Sequence, residues 1–187
     1  VYKRQDGNGA AGKLYFDDIR LYRSAPVIVV PSEEIWIEAE AAATITAPMQ
    51  IYDDPTASAG KYISTDESVG DSSSNPPANG IATYTFTVAG GTYKVSGRLR
   101  IPGGSNSFWV RIHGATIPAD TELHSSGWVR WNDMPDTGGW LWSDVFSDDD
   151  DQNATVLFTM GPGTYTLEIA RREDGAQIDV IVISKVG

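Results

Sequence analysis

From Ile35 to the C-terminus, apolar residues recur at alternate positions in short runs, and no window carries them at helical spacing. The runs IWIEAEAA, KYIST, ATYTFTV, TYKVSGRLRI, SFWVRIHG, WVRW, WLWSDVF, ATVLFTM, TYTLEIARR and QIDVIVIS each read as a strand rich in β-branched and aromatic residues. Between them VAGGTY, IPGGSNS and MGPGTY supply glycine where a hairpin needs positive φ. Eight or more strands without a helix predict an all-β fold of two packed antiparallel sheets, a jelly-roll β-sandwich.

The first residues follow another pattern. GKLYFDDIRLYRS, residues 12–24, alternates around an acidic pair as one kinked strand would, and it resembles the last strand of a laminin-G or concanavalin-type jelly roll. APVIVVPSEE then sets an apolar run between prolines, which suits an extended linker or an edge strand. The expected organisation is a remnant of a preceding β domain over 1–25, a linker over 26–34 and one β-sandwich module over 35–187. The opening VYKRQDG resembles translated adapter sequence from a metagenomic read, so the chain is expected to be a truncated fragment.

Charge narrows the partners. Fourteen Lys and Arg against 25 Asp and Glu leave a formal charge of -11, which argues against nucleic acid and anionic membrane surfaces and favours neutral ligands or cations. No Cys is present, so disulfides and thiol chemistry are excluded. No apolar run approaches the ~20 residues of a membrane span.

QIDVIVIS raises a specific question, because Asp179 sits among five apolar residues. A buried carboxylate must be solvated, protonated or paired. In IWIEAEAA, simple alternation puts Glu38 and Glu40 on one face, roughly 7 Å apart along the strand. If the first and last strands pair, the three acids converge, and an oxygen-only set suits Ca²⁺ better than zinc, for which the chain offers only His113 and His124. The competing reading leaves the glutamates solvated at a sheet edge and Asp179 at a strand end.

Sugar recognition needs a flat apolar surface for the C–H face of a pyranose, with polar groups aimed at its hydroxyls. Trp140 and Trp142 of GGWLWSD share one face, and the glycines before Trp140 favour its exposure. Trp36 and Trp128 read more readily as core, and Trp109 either lines a second sheet-face site or covers the sandwich. Polar candidates are Arg98, Arg100, Asn106 and Ser107 in RLRIPGGSNSF, and Arg171, Arg172, Glu173 and Asp174 in ARREDGAQ, the latter group having the alternative of a solvated hairpin tip. The acidic run SDDDDQN, residues 147–153, lacks the spacing and central Gly of a calcium loop and reads as solvated.

IEAEAA, ASAGKYIS, TYTFTVAGGTYKVSGRLRIPGGSNSFWVRIHG, GWLWSDV and GTYTLEIARREDGAQIDVIVIS, in that order, resemble a carbohydrate-binding module of the family six and thirty-five type, with a galactose-binding-like sandwich. The resemblance implies a structural Ca²⁺ on Glu38, Glu40, Asp179 and the backbone carbonyl of Lys61. It also implies sugar contacts in loops at one end of the sandwich, including the loop before the last strand, where REDGAQ departs from the commonest asparagine. A polysaccharide or oligosaccharide ligand, an attached catalytic domain and a secreted or cell-surface location follow as expectations. No GxSxG, HExxH or His relay points to catalysis, and no catalytic residue is expected. The alternative is a structural or adhesion sandwich without a sugar site.

Overall fold

The computed structural model describes residues 33–72, 74–147 and 154–187. The expected N-terminal remnant, most of the linker and residues 148–153 of the acidic run lie outside the described residues. Contacts divide the chain after residue 31, and the second unit is the module described below.

Twelve strands run in order as β1 Glu34–Glu38, β2 Thr44–Ile45, β3 Gln50–Asp53, β4 Lys61–Ser64, β5 Ile81–Val88 and β6 Gly91–Ile101. They continue as β7 Phe108–Ile112, β8 Val129–Trp131, β9 Thr137–Asp144, β10 Leu157–Met160, β11 Gly163–Arg171 and β12 Gln177–Val186. Among the described residues there is no α-helix, only single 3-10 turns. Strands β2 and β3 are the two that alternation did not reveal, since two and four residues are too short to establish a period.

All pairings are antiparallel. One sheet has seven strands, in the order β10, β6, β12, β4, β3, with β1 on β12 and β9 on β6; the other has the order β2, β5, β11, β7, β8. The two-sheet antiparallel sandwich is therefore the architecture that the alternation implies. Its central strands are β6 and β12, which send Val95, Leu99, Ile101, Ile178, Ile181 and Ile183 inward. These meet Tyr84, Phe86, Phe108, Val110, Leu167 and Ile169 from the five-stranded sheet. Burying each such side chain contributes roughly 1.5–3 kcal/mol, so the two inner faces dominate stability. Gly97 is required for packing: a Cβ there would stand 2.7 Å from the ring edge of the fully buried Trp131.

A register shift in the middle of β12 positions the candidate chemistry. Ile178 pairs with Leu99 and Val180 with Arg98, which leaves Asp179 as the extra residue of a β-bulge. Strict alternation would put Asp179 on the core face with Ile181 and Ile183. The bulge instead takes it out of that row.

Candidate binding face and buried acid cluster

β1 pairs with β12, as the convergence of the acids requires, with Glu38 opposite Val180. The strand ends there. Ala39–Ala41 forms a 3-10 turn pinned by the Tyr84 hydroxyl, which donates to the Ala39 carbonyl at 2.8 Å while Ala39 itself is buried. Glu40 thus lies in a turn and does not share a strand face with Glu38, so the spacing expected from alternation is corrected. The turn nevertheless leaves it within electrostatic reach of both other acids. Burial is the main cause that raises the Glu40 pKa, and the charges of Glu38 and Asp179 add to it.

Asp179 is fully buried, and protein groups answer its charge. The Ser58 N–H donates to both carboxylate oxygens, at 2.9 and 3.1 Å, and Arg98 Nη1 forms an ion pair with Oδ2. Burial still raises the Asp179 pKa against these two interactions. Ser58 also donates its hydroxyl to Glu38 Oε1 at 2.8 Å, which ties the two acids to one residue of the β3–β4 loop.

The donor chemistry fits a hard cation, because Glu38 Oε2 and Glu40 Oε2 are buried with no hydrogen-bond partner. Among the described residues, however, no group of three or more acids and histidines stands ready as a metal cage. Arg98 holds Asp179 instead. Lys61 N donates to the Ser58 carbonyl, and its ammonium pairs with Asp53 at 2.5 Å.

On the same outer face of the seven-stranded sheet, the cross-strand register collects aromatic side chains. Arg98 stands opposite Trp142, and Trp36 opposite Val182. Trp36 and Trp142 pack edge to face at 5.6 Å and are 61% and 49% exposed, so the expectation of a core role for Trp36 is wrong. As the first strand's outward residue beside β12, Trp36 has no covering layer. The two indoles border an open cleft of about 700 Å³ with Lys94, Asp144, Val182 and Ser184.

Trp140 is half-buried against Tyr62, 5.6 Å away at 65°, and Tyr62 stacks on Tyr52 at 5.4 Å. The Arg100 guanidinium lies 4.5 Å from the Trp140 ring centre and is fixed by Gln177 Oε1 at 2.5 Å and Asp54 Oδ2 at 2.6 Å. Asp54 also accepts the N–H and hydroxyl of Thr56, which with Arg100 lower its pKa to about 2. The platform therefore has fixed, charge-compensated polar groups at its edges.

The remaining expected sugar residues are elsewhere. Arg172 is 8% exposed, and its Nη1 donates to Ser107 Oγ, Asn132 Oδ1 and Glu173 Oε1. Glu173 accepts the Asn106 N–H and the Ser107 hydroxyl, both at 2.7 Å, and Asp174 accepts the Gly70 N–H. These side chains tie loops together at one end of the sandwich, so the reading of the REDG turn as a solvated tip fails for Arg172. Trp109 is fully buried with Trp128 and Ala170, covering the five-stranded sheet. Sequence reasoning missed Tyr52, Tyr62 and Gln177, because the strand pairs that bring them beside Trp140 join segments far apart in the chain.

No family model matches the chain, and no curated protein matches it. Solved structures do. The C-terminal CBM6 of LamC, a marine laminarinase from Zobellia galactanivorans, superposes with TM-score 0.54 at 18% identity over 82% of this chain and 100% of that one. The Podospora anserina GH26-CBM35 β-(1,4)-mannanase matches with TM-score 0.56 and 13% identity over 82% of this chain, which spans 28% of the mannanase. The Bacillus thuringiensis Cry4Aa toxin gives TM-score 0.54 and 12% identity, covering 82% of this chain and 24% of the toxin. At such identities the likeness concerns fold, and a fold alone does not carry a function. The chain shares the two-sheet antiparallel β-sandwich fold of these structures, the CBM6 and the CBM35-containing mannanase among them.

Proposed function

We propose that this chain is a non-catalytic carbohydrate-binding module that uses the outer face of its seven-stranded sheet. The observation that carries the reading is the display of Tyr52, Tyr62, Trp140, Trp142 and Trp36 across one face, with the Arg100 guanidinium locked against Trp140. Indole faces stack on the apolar side of a pyranose, and fixed amide and guanidinium groups meet its hydroxyls. Arg98 and Arg100 are both paired with carboxylates, and the net charge is -11, so the face suits neutral glycans better than uronic acids. In a longer secreted or cell-surface protein, such a module raises the effective concentration of an attached catalytic domain at its polysaccharide.

Glu38, Glu40 and Asp179 would hold a structural calcium ion, with the Lys61 carbonyl as a further oxygen. Bound there, the ion would neutralise carboxylates that the fold buries together. The residues themselves fix the strand ends: Glu38 and Asp179 tie β1 and β12 to the loop at Ser58.

Affinity electrophoresis in gels containing laminarin, β-1,4-mannan or xylan tests the reading. Retardation by at least one glycan is expected, with loss of that retardation in Trp140→Ala. Unretarded migration in a wide glycan panel would instead favour the structural or adhesion module.

A further inference from the structure

Trp36 and Trp142 reach the middle of the face from opposite sides. The register runs from Trp36 on β1 through Val182 on β12 and Ser96 on β6 to Asp144 on β9, the strand that also carries Trp142. By ordinary strand spacing β1 and β9 stand roughly 14 Å apart. The two indoles nevertheless meet edge to face at 5.6 Å, so each leans inward over the two central strands. Val182 and Ser96 belong to the outward row of those strands, yet they are only 5% and 9% exposed. The Trp36 indole N–H donates to Glu34 Oε2 at 3.3 Å, and the Trp140 indole N–H donates to Thr56 Oγ1 at 3.1 Å, so both rings are tied to the protein.

The Trp36–Trp142 pair walls the open cleft of about 700 Å³, a size within the ~300–1,000 Å³ of ordinary small-molecule sites. Charge within this cleft balances. Lys94 pairs with Asp144 at 2.9 Å, the Ser96 hydroxyl donates to the same carboxylate at 2.5 Å, and the Lys185 ammonium donates to the Gly90 carbonyl at 2.6 Å. Glu34 stands against Lys185 in the count of charges lining the cleft, so an uncharged, hydroxyl-rich occupant fits it. Trp140 and Trp142 lie on one side of β9, roughly 7 Å apart along the strand, so this cleft adjoins the Trp140–Tyr62 platform.

Resting on the reading of this face as a glycan-binding surface, we propose that it holds one neutral glycan chain at two adjacent subsites, the Trp140–Tyr62 corner and a second corner walled by Trp36 and Trp142 beside the Lys94–Asp144 pair. The rings cross at 65° in the first corner and at 83° in the second. Rings so inclined cannot lie together on a flat array of chains, so each corner takes a sugar unit of a single chain. Once one unit is seated, the next is delivered at high effective concentration, and affinity grows with chain length until both corners are filled.

Calorimetric titration with xylo-, manno- and laminari-oligosaccharides, from disaccharide to hexasaccharide, tests the two subsites. In the series that binds, the wild type is expected to hold the hexasaccharide at least about tenfold more tightly than the disaccharide. Trp36 is 61% exposed, so Trp36→Ala should melt as the wild type does while its hexasaccharide affinity falls to about that of the disaccharide. Trp140→Ala should lose the same gain from the other side, and Trp36→Phe, which keeps a ring, should retain most of it. Equal affinity of the wild type for both lengths, an undiminished gain in Trp36→Ala, or an equal loss at every length in that variant each overturns the second subsite while leaving the glycan reading in place. Binding of no oligosaccharide, together with unretarded migration in the glycan gels, removes the glycan reading itself, so the two failures separate.

Discussion

Arg98 and Asp179 pair because a bulge offsets their strands. Val180, not Asp179, is the register partner of Arg98, and the unpaired Asp179 meets the guanidinium from the neighbouring position. Removing either partner therefore has unequal consequences. Arg98→Met leaves a buried carboxylate with only the Ser58 N–H and is expected to cost about 3 kcal/mol in the metal-free protein. Asp179→Asn leaves a partly exposed arginine that water can solvate, and about 1–2 kcal/mol is expected. Urea unfolding with chelator present measures both; a larger loss in Asp179→Asn would contradict the assignment.

Calcium addition is expected to raise the melting temperature of the wild type, and chelation to lower it. Binding to the native state alone gives about 2.7 kcal/mol at a hundredfold excess over Kd. Differential scanning calorimetry with and without chelator reads this directly, and superimposed scans would remove the cation site.

The pH dependence follows from the raised pKa values of Glu40 and Asp179, whose ordinary values are 4.5 and 3.8. Between the ordinary and the raised values the folded state binds more protons than the unfolded state. The contribution is thus present below the ordinary values and is lost as pH rises through the raised ones. In chelator, Glu40→Gln, which cannot ionise, should gain on the wild type as pH rises above the ordinary value of 4.5 and through the raised one. A stability difference that stays flat over this range would contradict the shared burial of these acids.

Trp142→Ala and Arg172→Met separate the binding face from the loop end. Trp142 is 49% exposed and packs on Trp36, so its removal should cost under about 1 kcal/mol of stability yet weaken glycan retention by about tenfold. Arg172 is enclosed by Ser107, Asn132 and Glu173, and its loss should cost about 3 kcal/mol while the folded protein binds glycan as before. Selective loss of binding in Arg172→Met would return the REDG turn to the sugar site.

How much was legible in the sequence depended on whether the determining force was local. Alternation along ATYTFTV and TYTLEIARR specified strands and inward faces, because in each the core-facing positions are dry and most of the alternate ones are more exposed. The presence of an odd acid in β12 was equally plain. That Glu40 leaves its strand was not, since the Tyr84 hydroxyl that pins the turn lies 45 residues away.

By itself, the sequence determined the all-β class, the sandwich and the one acid, Asp179, that had to be answered, because strand period and the cost of buried charge act through neighbours and composition. Tertiary structure decided which cation answers Asp179, which tryptophans face water and which loop end is packed shut. Those outcomes rest on the β12 bulge, on the register that sets Arg98 beside Trp142, and on Ser58, Tyr62 and Gln177 arriving from distant strands and loops. Cross-strand pairing is a long-range choice made by the packed core, and no local pattern encodes it.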